Sequence, residues 1–226
     1  MTFNHINIDL KYDDLVSHTG ESGRVYYTPD GKVYPSITTV LGHRDKDSLN
    51  EWKKRVGEQE AARVGRFAAN RGTIVHDTME RYIKGEDIDV KDLMTIYRPS
   101  YLKLKKVVDE RLTDVYAQEQ ALYSHHLKVA GKTDLIGRFD GVRSIVDFKT
   151  SKKVKKKEWI SNYFIQETAY SIMWEERTGM AVPNLVIIMD VDGHQPIVFK
   201  EHRDNWVKPL FEAINEHYRL QGENNC

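Results

Sequence analysis

The chain has almost no cysteine: the single one, Cys226, is the last of 226 residues. A lone thiol excludes an internal disulfide framework, a thiolate zinc site and a four-cysteine iron–sulfur cluster, and it suits a reducing compartment. Long apolar runs are missing too; none approaches the roughly 20 residues of a membrane-spanning helix. The opening MTFNHINIDLKYDDL carries Asp9, Asp13 and Asp14 and lacks both a basic-then-apolar leader and an Arg-rich, acid-poor transit pattern. The expectation is an intracellular, cytoplasmic protein with no targeting signal. Nor is there an excess of either charge, since 34 basic and 34 acidic side chains cancel. A polyanionic partner must therefore meet a local basic patch, not a globally basic surface.

What is present is an ordinary globular composition, 40% hydrophobic and 30% charged. No segment repeats and no low-complexity linker divides the chain, so residues 1–226 read as one domain. Its N-terminal part, to about residue 112, reads as a mainly helical lobe. The polar start, to about Gly23, is expected to be loosely held, and RVYYTPDGKVY reads as a hairpin around Pro29-Asp30-Gly31. Ser36 is placed to cap a short helix. Helical patterning runs from about Ser48 to Lys84, stopped by Gly85, and again from about Val90 to Leu112, disturbed at Pro99. From about 113 the pattern becomes β-β-β-α-β-β-α, with Asp140-Gly141 turning between the second and third strands. The predicted fold is α/β, a mixed central sheet flanked by helices.

The segment GKTDLIGRFDGVRSIVDFKTSK carries the chemistry. It folds as a hairpin with Asp134 near the middle of one strand and Asp147 and Lys149 at the end of the next. Residues two apart in a strand share a face, so Asp147 and Lys149 project together. A carboxylate and an ammonium leaving a buried apolar strand are costly unless they pair or bind something. Asp134 and Asp147 are hard oxygen ligands that suit Mg2+ or Mn2+, and Lys149 is placed to orient water or to stabilise transition-state charge. His125-His126, read as strand neighbours, point to opposite faces and form no metal pair.

Gly131-x-x-Asp134 followed by Asp147-Phe148-Lys149-Thr150-Ser151 resembles the PD-(D/E)XK nuclease superfamily in its RecB-like exonuclease branch. The greatest likeness is to the mitochondrial genome maintenance exonuclease and its phage and bacterial relatives. Asp147-Phe148-Lys149 occupies the (D/E)-x-K element, with Asp134 as the upstream aspartate; Thr133 stands where the pattern has proline. Arg71-Gly72-Thr73-x-x-His76-x-x-x-Glu80 resembles the upstream helix whose histidine joins the metal site, and Gln166-x-x-x-Tyr170 the later supporting helix. Tyr34 to Leu41 resembles the family's N-terminal Pro-Ser segment, and Glu119 falls at a commonly acidic position.

The resemblance implies a restriction-endonuclease-like fold and a metal-dependent exonuclease acting on free ends of single-stranded DNA, in DNA repair, recombination or replication. His76, Asp134, Asp147 and the backbone of Phe148 would hold Mg2+ or Mn2+, with Glu80, Glu119, Gln166 and Tyr170 in support. Candidate DNA contacts are Lys152, Lys153, Lys155, Lys156 and Lys157, with Trp159 and Tyr163 as stacking surfaces; Ser36, Arg71 and Lys132 join them. Competing readings are a non-catalytic DNA-binding or recombination accessory protein, a sequence-specific endonuclease, and a phosphoesterase for small molecules. The last gives the lysine run no task.

Overall fold

The computed structural model describes residues 3–44 and 46–222; Cys226 lies outside them. In chain order the elements are β1 (Asn4–His5), β2 (Val16–Gly20), β3 (Gly23–Tyr27), β4 (Val33–Pro35), α1 (Ile37–Leu41), α2 (Lys46–Val56), α3 (Glu58–Ile83) and α4 (Arg98–Arg111). There follow β5 (Leu112–Ser124), β6 (Val129–Phe139), β7 (Val142–Ser151), α5 (Ser161–Thr178), β8 (Asn184–Val191), β9 (Ile197–His202) and α6 (Val207–Leu220). Among the described residues one mixed sheet has the order β1-β5-β6-β7-β8-β9, and a smaller antiparallel sheet the order β2-β3-β4. In the large sheet β1 runs parallel to β5 and β7 to β8, the other neighbours antiparallel. The predicted hairpin of β6 and β7 therefore sits at the centre.

Period-two alternation gives this sheet two apolar faces. On one, Val75 and Met79 of α3 and Leu104 and Val108 of α4 pack with Leu135, Val146, Phe148 and Ile188. On the other, Ile37 of α1, Phe164 and Trp174 of α5 and Ile214 of α6 pack with Ile136, Ile145, Ile187 and Met189. Burial on both faces explains why β8, NLVIIMDV, reads as a nearly continuous apolar run. No helix among the described residues is long and apolar enough to cross a membrane.

The Asp140-Gly141 turn forms as predicted. Both residues take positive φ, 50° and 77°, which a two-residue hairpin loop of type I′ requires and Asp-Gly tolerates. Four expectations are corrected. The polar N-terminus is tied down, not loose: β1 pairs with β5, His5 Nε2 lies 2.9 Å from the Ile83 carbonyl oxygen, and the Tyr12 hydroxyl donates to the Ala121 carbonyl at 2.8 Å. The helical run to Lys84 is two helices, broken where Gly57 takes a φ of 86°. Pro99 starts α4 instead of disturbing a longer helix, because its missing N–H lacks an intrahelical partner there anyway. His125 and His126 lie in the turn after β5, not in a strand, and His125 Nδ1 sits 2.9 Å from the Tyr34 hydroxyl.

Candidate active site

The site begins where the central hairpin stops pairing. The β6–β7 ladder runs from Phe139↔Val142 to Leu135↔Val146 and goes no further. Asp134 and Asp147 are the next residues, at the point where the strands part. Parting frees the Phe148 N–H from β6, and the Asp134 carboxylate accepts it at 3.0 Å through Oδ2. The two aspartates are thus brought together by the local backbone.

Lys149, on the same face as Asp147, donates to Asp147 Oδ1 at 2.5 Å. Asp147 is 1% exposed. Burial raises its carboxyl to about 6, with Asp134 adding to the rise while Lys149 and His76 oppose it. Burial lowers the Lys149 ammonium, but Asp147 and Asp134 reverse this and hold it above the ordinary lysine range.

His76 reaches the fork from α3, its Nδ1 3.1 Å from Asp134 Oδ2. Burial pulls the imidazole down; the bond to Asp134 and the negative charge of both aspartates outweigh this and lift it to about 9. Burial likewise raises Asp134, and the bond and charge of His76, the Lys149 ammonium and the Phe148 N–H together reverse it, so that carboxyl ends below its usual range.

Glu119 arrives from the other side. It stands opposite Asp134 between the pairs Gln118↔Leu135 and Gln120↔Thr133, but takes a φ of 47°. A left-handed residue inside a strand is a costly conformation for anything but glycine, and such residues cluster at functional sites. Here it accompanies a carboxylate oxygen within 4.8 Å of a ring nitrogen of His76 and an oxygen of Asp134.

Hard carboxylate oxygens with one imidazole are a donor set that fits a small divalent cation. His76, Glu119 and Asp134 open on a cavity of about 380 Å³ between α3 and the small sheet, bounded by Gly72 and His76 on one side and by Arg24, Tyr26, Ser36 and Thr38 on the other, while the buried Asp147 and the half-buried Lys149 do not line it. Its floor includes Gln166 and Tyr170 of α5, and Gln166 Nε2 donates to the Tyr170 hydroxyl at 3.1 Å. Tyr170 fits because residue 131 is glycine: a Cβ there would lie 2.8 Å from the Tyr170 ring.

Some predicted contacts already have partners within the protein, Ser36 and Lys132 at the cavity itself and the others away from it. Arg71 is 6% exposed, paired with Asp190 and Asp192 at 2.5 Å each. Ser100 (2.5 Å) and Lys103 (3.0 Å) complete the shell of the buried Asp190. Arg71 is therefore a bolt fastening α3, the His76 helix, to β8, with no donor left facing the cavity. The Ser36 hydroxyl caps α1 by accepting the Thr39 N–H at 3.0 Å. Glu80 accepts from Lys84 at 2.5 Å and does not line the cavity. Lys132 pairs with Glu119, and Lys157 with Glu201.

In the rest of the lysine loop Lys152 and Lys156 are exposed, Lys155 is half-buried and donates to the Tyr163 hydroxyl at 3.2 Å, and the lysines are interleaved with rings. Lys152 lies over Phe67 at 5.5 Å from its centroid, Lys155 over Tyr163 at 5.3 Å, and Lys156 over Trp159 at 5.7 Å. Lys153 is exposed as well, and Trp159 is 65% exposed. Sequence reasoning missed Arg24, Tyr26 and Thr38 as cavity walls, and Glu167 beneath the site. For Glu167 the helical spacing of Tyr163, Glu167 and Tyr170 was the available signal.

Residues 47–216 match the family model of the PD-(D/E)XK nuclease superfamily. No curated protein matches the chain. Among solved structures, a protein of Eubacterium rectale named provisionally as an exonuclease is 14% identical over 67% of this chain and 68% of that one, with a TM-score of 0.46. The protein SSO0001 is 14% identical over 84% and 77%, with a TM-score of 0.41. Rai1 of Scheffersomyces stipitis, solved with (3′-NADP)+ and a calcium ion, is 11% identical over 93% and 49%, with a TM-score of 0.30. These structural likenesses are remote.

Proposed function

The chain belongs to the PD-(D/E)XK nuclease superfamily, and from that premise we propose that it is a Mg2+- or Mn2+-dependent deoxyribonuclease of the RecB-like type that shortens single-stranded DNA from its free ends. The observation that carries the proposal is the gathering of Asp134, Asp147, Lys149, His76 and Glu119 at one fork of the central hairpin. His76, Asp134, Asp147 and the Phe148 carbonyl would hold the cation, with Glu119 beside them. When bound, such a cation lowers the pKa of water and neutralises a phosphodiester oxygen.

The chain's own groups do the rest. Lys149, anchored by Asp147, directs an ammonium at the reacting phosphate, where it orients the attacking water and offsets the negative charge that builds in the transition state. Gln166 and Tyr170 brace the floor on which the scissile nucleotide rests. Lys152, Lys153, Lys155 and Lys156 bind backbone phosphates beyond it, with Trp159 and Tyr163 as faces for bases. A cavity walled by α3 and by the small sheet favours a flexible strand entering by its end over a rigid duplex. Such trimming would serve DNA repair, recombination or replication inside the cell.

The test is incubation of the pure protein with end-labelled single- and double-stranded oligonucleotides and with circular single-stranded DNA, with and without Mg2+ or Mn2+. Metal-dependent stepwise shortening of the linear single strand is expected, with the circle left whole. No cleavage under any condition would leave a DNA-binding protein only, and cutting of the circle would make the enzyme an endonuclease.

A further inference from the structure

One face of α5 looks into the site. Tyr163, Glu167 and Tyr170 are spaced i, i+4 and i+7 and so stand in a row. At one end of the row the Lys149 ammonium lies 5.2 Å from the centre of the Tyr163 ring. At the other, the Tyr170 ring lies against Gly131. Glu167 stands between them, 1% exposed, and its Oε2 has no hydrogen-bond partner. The catalytic roles set out above make no use of it. A buried carboxyl without full partners is a liability that leucine or methionine would remove.

The Lys149 ammonium sits over Tyr163, one helical turn before Glu167, and is not within ion-pair distance of it. Burial and the carboxylates of Asp147 and Asp134 push its carboxyl well above the ordinary range, and the Lys149 ammonium pulls against them. Lys149 in turn is bonded to Asp147, a carboxylate that also belongs to the candidate metal site. An amine whose bonded carboxylate also serves a divalent cation is loosely aimed.

We propose that Glu167 is a positioning residue for Lys149, a second carboxyl on the α5 side that keeps the amine directed at the scissile phosphate while Asp147 serves the cation. The inference rests on the nuclease reading and deepens it.

The experiment compares the full-length wild type with Glu167→Leu and Glu167→Gln by three measurements: kcat and KM on a single-stranded oligonucleotide, Mn2+ affinity by calorimetry, and Tm without metal. Glu167→Leu is expected to lower kcat by about ten- to a hundredfold at unchanged KM, the scale of a slightly misplaced catalytic group. Its Mn2+ affinity should stay at the wild-type value and its Tm should equal or exceed that of the wild type. Glu167→Gln, whose amide oxygen presents the same kind of acceptor towards the ammonium, should recover most of kcat.

Wild-type kcat in the Leu variant would overturn the proposal. So would a Gln variant as slow as the Leu one, or a fall in Tm parallel to the fall in kcat, which would make Glu167 a packing residue. Lost Mn2+ affinity would make it a ligand instead and equally overturn the assignment. A wild type that cleaves nothing would remove the nuclease reading and the proposal together, a result distinct from an active wild type with indifferent variants.

Discussion

An imidazole must be neutral to bind a metal, and His76 in this site is held charged up to about pH 9 by its two aspartate neighbours. Loading the site must therefore expel a proton. At about pH 7.5 a group of pKa 9 is about 97% protonated, so binding releases nearly one proton, and the apparent affinity is about thirtyfold weaker than for the neutral imidazole. Affinity should tighten by about tenfold, or about 1.4 kcal/mol, for each pH unit between about pH 7 and about pH 8.5. Asp147, raised to about 6, is ionised over that window and adds little to the count.

Calorimetric titration with Mn2+ in buffers of different ionisation enthalpy measures the protons directly. His76→Gln should release almost none and bind with nearly flat pH dependence. The metal-free protein gives an independent check. A raised imidazole pKa contributes stability that is complete below about pH 6.5 and is lost as pH rises through about 9. The metal-free Tm should fall across that window, by an amount equivalent to at most about 3.4 kcal/mol. A wild type that releases less than about half a proton and binds Mn2+ equally well throughout would refute His76 as a ligand.

Asp147→Asn and Lys149→Ala should each slow cleavage by about a thousandfold or more while oligonucleotide affinity stays within a few-fold; near-normal single-turnover rates in either would discard the site. Lys155→Ala combined with Lys156→Ala should weaken single-strand binding and reduce the slope of log K against log salt by about 1.4, the share of two phosphate contacts. An unchanged slope in fluorescence titrations would remove the loop from the DNA path. Arg71→Met strips the buried Asp190 of its main partner and should cost about 3 kcal/mol in urea unfolding, Lys103 and Ser100 limiting the loss. Unaltered stability would mean that Arg71 is not the bolt described.

How much of this could be read from the chain depended on the range of each interaction. The hairpin, its Asp-Gly turn and the shared face of Asp147 and Lys149 follow from neighbours a few residues apart, and all were legible. The buried fate of Arg71 was not, because its acidic partner lies 119 positions away in sequence; a charged residue beside a motif looks like a phosphate contact until that partner is seen. Lys157 is the same case, its charge taken by Glu201 across the fold. The anchoring of the N-terminus was hidden because much of it is done by single contacts, such as Asn4 with Asp114 and Tyr12 with Ala121, in residues whose polarity reads as coil. Glu119 carried a motif-level hint of acidity, but its left-handed backbone, which accompanies its place beside His76, has no signature in the sequence.

The fork between β6 and β7 has a consequence for how this chain could change over generations. Because the ladder is anchored at Leu135 and Val146, residues added in matched numbers to both strands at the Asp140-Gly141 tip would lengthen the hairpin and leave the two aspartates facing each other. A single residue inserted in one strand only would turn Asp147 to the far side of the sheet. Length variation at that tip should therefore be tolerated when symmetric and lethal to the site when lopsided.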